Sequence, residues 1–137
     1  MKKIKLFLLS MIVLTATSFA QEKSAGWAEM KAFHTLMAAT FHPSEDGDLK
    51  PLKEKAADLL TAAKTWQAST IPADYKPEET SSTLKKLVVQ CAAIDKAVKA
   101  GKSDEDLKKM IADAHDIFHK VAGECKKGAD EHEGHKH

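Results

Sequence analysis

Apolar residues recur along this chain at the three-to-four-residue helical period, in four separated stretches. The first stripe starts at Trp27 and takes in Met30, His34, Met37, Ala38 and Phe41. Pro43 is expected to end that helix at His42, because proline disfavours helical geometry in the residue before it. Leu52, Ala56, Leu59, Leu60, Ala63 and Trp66 share one face of a second helix, expected over residues 49–69. Asp48 suits its N-cap, and Pro51 falls in the first turn, where a missing N–H does no harm. The stretch TIPADYKPEE, residues 70–79, reads as a connection because it holds two prolines. Leu84, Leu87, Val88, Cys91, Ile94 and Val98 form the third stripe, which Gly101 stops by taking a left-handed conformation. Ser103 and Asp106 have the capping-box spacing and open a fourth helix. Its apolar face runs through Leu107, Ile111, Ala114, His115, Phe118, Ala122 and Cys125. Four helices with short connections predict an all-α fold, an antiparallel up-down-up-down four-helix bundle.

The amino-terminal pattern differs from these stripes. Lys2, Lys3 and Lys5 precede an apolar run from Leu6 to Leu14, and Ser18 and Ala20 give the small-x-small ending of a secretory signal. Residues 1–20 are therefore expected to be a cleaved signal peptide, 21–127 the bundle domain and 128–137 a flexible His-rich tail. The apolar run is about half of the ~20 residues a membrane span needs, so no stable insertion is expected after cleavage. A periplasmic or secreted location follows. Taking Lys2, Lys3 and Lys5 from the 21 basic residues leaves 18 against 20 acidic ones, a formal charge of −2. That balance gives no basic footprint for nucleic acid.

Export makes a disulfide between Cys91 and Cys125 the first expectation. The bundle register opposes it. Folding helices 3 and 4 about residue 102 leaves the two sulfurs on the order of 18 Å apart along the axis, far beyond the ~7 Å Cα limit. Two free thiols are predicted.

The same register brings His34, Cys91 and His115 to one depth, with His119 a turn away near Met30. Two imidazoles spaced i, i+4 present themselves to a single ion, and a donor or two from a facing helix completes a tetrahedral or open site. Imidazole and thiolate donors favour Zn, Cu or Ni over Mg or Ca. A histidine on an apolar face is also commonly a packed core residue, and a buried cysteine commonly a small hydrophobe. The metal reading therefore rests on the joint pattern of His34, His115 and His119, with Cys91 as a possible fourth donor. His42 stands beside Glu45, Asp46 and Asp48, where a second surface site competes with the plainer reading of a histidine at the negative end of a helix dipole. The tail holds His132, His135 and His137, a composition that captures transition metals loosely.

The segment AHDIFHKV resembles the haem-binding helix of the cytochromes c′, in which a Cys-x-x-Cys-His motif is followed by an acidic and then an aromatic residue. His115, Asp116 and Phe118 match. Helix order and length are also similar to cytochrome c′ and cytochrome b562 over most of residues 24–127. The cysteine positions are Ile111 and Ala114, so neither haem thioether can form. The resemblance implies the bundle and a site around His115, as in a haem-free branch.

The expected function is exported binding of a transition-metal ion for buffering, delivery or sensing, without catalysis, since no glutamate stands as general base beside the His pair. Two alternatives stay open. One is an electron-transfer protein with noncovalent b-type haem on His115 and Met30 or His34. The other is a structural or adaptor bundle with incidental histidines. The metal ion is the expected partner, and a homodimer stays open as well.

Overall fold

A computed structural model of the chain describes residues 26–128. The expected signal peptide and residues 129–137 of the tail lie outside that range. Within it the chain forms four α-helices: α1 Ala28–Glu45, α2 Lys50–Ala68, α3 Pro77–Lys99 and α4 Asp104–His119. A single π-helical turn, Lys120–Glu124, extends α4. The fold is all-α. Helix α1 packs on α2, α2 on α3, α3 on α4, and α4 returns to α1, so the four close into a bundle. Among the described residues no helix is long and apolar enough to cross a membrane.

Helix α1 departs from expectation in two ways. It runs through Pro43 to Glu45, three residues past the expected stop. Proline here sits in the last turn, where its missing N–H costs one intrahelical bond and little helix remains to be kinked, and the real terminator is Gly47. That residue has φ +85, Gly47 N–H donates to Ser44 O at 3.0 Å, and Asp48 N–H reaches back to Pro43 O at 3.0 Å. This paired closure satisfies two of the helix's orphan carbonyls. The inward face is also rotated: Phe33, Met37, Thr40 and Ser44 are the buried residues of α1, while His34 is exposed. Burying Phe33 is worth about 1.5–3 kcal/mol, whereas an imidazole taken inside needs a polar partner. Thr40 and Ser44 tolerate burial because each hydroxyl bonds its own helix, Thr40 Oγ1 to Leu36 O at 2.9 Å and Ser44 Oγ to Phe41 O at 2.6 Å.

The other helices follow the apolar pattern more closely. Leu52, Ala56, Leu59, Ala63 and Trp66 are buried on α2, and Asp48 Oδ1 accepts from Lys50 N–H at 3.1 Å at its start. On α3 the inward set is Thr80, Leu84, Leu87, Cys91, Ile94 and Ala97; Gly101, with φ +70, ends it. Ser103 caps α4 by accepting from Asp106 N–H at 3.2 Å. Asp104, Glu105 and Asp106 crowd the positive end of that helix dipole.

At the end of α4 the chain is tied to the α2–α3 connection. Lys76 N–H donates to Cys125 O at 2.8 Å and Lys127 N–H to Asp74 O at 2.8 Å. Above this tie Trp27 meets Trp66 edge-on at 5.5 Å and Tyr75 at 5.2 Å, and its indole N–H donates to Ser69 Oγ at 2.8 Å. Cys91 and Cys125 are both buried and free, as the register argument expects.

Candidate metal centre

The site is built from a local rule. In a helix, successive residues are rotated by about 100°, so an inward-facing aromatic sets the next residue on the helix shoulder. Phe33-His34, Phe41-His42 and Phe118-His119 all obey it. Phe33 and Phe118 are buried, Phe41 is half-buried, and the following histidine is exposed each time. His115 reaches the same shoulder of α4 from one turn before His119 and is half-buried.

On α4 the two imidazoles converge. His115 Nε2 and His119 Nε2 are 3.0 Å apart, with the ring planes at 83°. In the neutral state one nitrogen donates its proton and the other accepts. Phe41, from α1, lies flat on His115 with centroids 3.8 Å apart and planes within 9°. His34 stacks on Phe118 at 5.1 Å, and His119 meets the same Phe118 ring edge-on at 5.3 Å. His42 lies 5.5 Å from Phe41. The rings of His42, Phe41, His115, His119, Phe118 and His34 thus form one continuous ladder along the α1–α4 seam.

Electrostatics along the seam favour a neutral His115. Burial pushes its pKa below the ordinary histidine value, and His119 and then His42 act in the same sense, while Asp116 and Glu45 oppose them. A neutral imidazole is the metal-ligating form. His42 Nδ1 faces Glu45 Oε2 at 3.3 Å, both side chains being largely in solvent.

Three expectations from sequence need correction. His34 is exposed on the far side of Phe118, not in a core layer beside His115, because Phe33 takes the inward position. Cys91, expected as a fourth donor, is fully buried on α3, and burial pushes its thiol up to about 12. It stands in no group of three or more such donors among the described residues. Among the described residues, no group of three or more His, Cys, Asp or Glu stands together in a way that would hold a metal ion. What the structure brings together is the His115–His119 pair, with His42 and Glu45 on the adjoining end of α1. Met30, an axial candidate for haem, has its sulfur 3.7 Å from the Tyr75 hydroxyl, which donates to it.

Sequence reasoning missed the two phenylalanines that orient the imidazoles, Phe41 and Phe118. The signal was available: every Phe beyond the amino-terminal segment, at 33, 41 and 118, is followed directly by His. Comparison with protein-family models, with curated proteins and with solved structures gives no match.

Proposed function

We propose that this chain is an exported transition-metal-binding protein, built as an antiparallel up-down-up-down bundle, that takes up a single ion at the His115–His119 pair for buffering, delivery or sensing. The observation that carries this reading is the 3.0 Å separation of the two Nε2 atoms on a solvent-accessible shoulder. The flat Phe41 ring supports the reading by fixing the His115 plane, and the lowered pKa of His115 keeps a lone pair available. Pairings of 34 with 118 and of 41 with 115 support the antiparallel arrangement, since numbers rise along α1 as they fall along α4. Export is supported by the basic, apolar and small-residue order of residues 1–20. We assign the pair binding and no turnover; Asp116 and Glu45 act on His115 as nearby charges.

The test is calorimetric titration with Cu(II), Ni(II) and Zn(II). The full chain is used with His132, His135 and His137 all changed to Ala, which removes the tail's own affinity. His115→Ala and His119→Ala should each weaken binding by at least about tenfold, or ~1.4 kcal/mol. Undiminished affinity in both variants would refute the proposed site.

A further inference from the structure

We propose that His42 and Glu45, at the end of α1, supply the third and fourth donors to the ion held by His115 and His119, making one three-nitrogen, one-oxygen site across the α1–α4 seam. This inference rests on the metal-binding reading above. Two imidazoles leave a divalent transition ion short of donors. The geometry of the seam says where the rest come from.

Two contacts hold the end of α1 over the pair. Phe41 lies on His115 at 3.8 Å, and the His42 ring is 5.5 Å from Phe41, so His42 and His115 are no further apart than those separations laid end to end. Lys108 Nζ donates to the Glu45 carbonyl at 3.0 Å. Lys108 is two helical turns before His115 and so shares its face of α4. The backbone at Glu45 is therefore held against that face, about 10 Å along the axis from His115, and its carboxylate is close enough to act on the His115 charge.

The side chains are free to complete the move. His42 and Glu45 are 67% and 55% exposed, and their 3.3 Å contact is a weak surface pair that an ion can replace. His42 turns Nδ1 toward Glu45, which leaves Nε2 for a metal. Glu45 adds the negative charge that a dication surrounded by neutral imidazoles lacks. Other charged groups on α4 are Asp116 and Lys120, both exposed beside the pair, and Lys108, two turns earlier and engaged by the Glu45 carbonyl. Among the described residues no three donors stand together in the metal-free chain, so His42 and Glu45 would have to move onto the ion.

Cu(II) is the probe, added to the full chain carrying the three tail substitutions. Pulsed electron paramagnetic resonance counts coordinated imidazoles, and sedimentation gives chains per ion. The expected result is three imidazoles in one chain. His42→Ala should reduce the count to two and weaken binding at least tenfold; Glu45→Gln should weaken it about threefold or more; His34→Ala should change neither. All three substituted positions are exposed, and an unchanged metal-free melting temperature verifies the fold of each variant. If His42→Ala leaves both the imidazole count and the affinity of the parent chain unchanged while His115→Ala still abolishes binding, this inference fails and the metal-binding reading stands. If His115→Ala and His119→Ala have no effect, that reading fails itself. One ion shared by two chains would also overturn the inference, since the missing donors then come from a second copy.

Discussion

Replacing Phe41 by Leu removes a ring without removing a metal donor. The ring stacks on His115 with planes within 9° at 3.8 Å, so the substitution frees the imidazole to rotate and admits water to its face. A stacked aromatic pair is worth about 0.5–1.5 kcal/mol beyond its buried area, which corresponds to a ~2–10-fold loss in affinity if all of it is spent on orientation. The pKa should move too. Burial is the leading cause of the lowered His115 value, so exposing the ring lets it rise toward the ordinary ~6.5. Wild-type protein should therefore hold its affinity to lower pH than Phe41→Leu. The linked effect on stability has a definite sign. A histidine whose folded value lies below the unfolded one takes up protons preferentially in the unfolded chain, so stability falls as pH drops from ~6.5 toward the folded value. That acid slope should be shallower in the variant. Competition titration with Cu(II) at several pH values, beside nuclear magnetic resonance titration of the His115 Cε1 proton, measures both. An unchanged affinity together with an unchanged midpoint would refute the claim that Phe41 orients and desolvates His115.

Two further outcomes test the scaffold. Ser103→Ala removes the hydroxyl that accepts from Asp106 N–H, and thermal denaturation should show a loss of about 1 kcal/mol, or ~4–8 °C in a domain of this size; no change would mean the cap is dispensable. Cys91, fully buried with its thiol pushed up to about 12, should resist iodoacetamide at pH 8 in the native protein and react only as fast as the bundle opens, so rapid native-state labelling in peptide mass analysis would contradict its placement.

The bundle was legible because long periodic stripes such as Leu52 to Trp66 leave little choice of face, and because Ser103 and Gly101 are local signals that tertiary contacts did not override. Helix α1 was harder to read. His34 and Phe33 compete for neighbouring positions on one turn, and a hydropathy stripe drawn through Met30, His34 and Met37 is nearly as regular as the one drawn through Phe33, Met37 and Thr40. Thr40 and Ser44 concealed the true face, since their burial depends on hydroxyl bonds to their own helix that composition does not reveal. Cys91 was read correctly as inward-facing from its apolar stripe on α3; what the stripe did not reveal is that the histidines take the outer shoulder of α1 and α4. The pair at 115 and 119 was readable from spacing alone. Its association with Phe41 needed the packing of α1 on α4.

The ring ladder does not stop at the surface. Phe118 also touches Trp66 at 5.9 Å and Phe33 at 6.0 Å, and Trp66 leads on to Trp27. The outermost imidazoles are thereby braced from within by the largest side chains in the molecule. Interior substitutions at Trp66 or Phe33 would therefore shift the imidazoles at the surface and, if the pair takes up an ion as proposed, would be felt in its affinity as well.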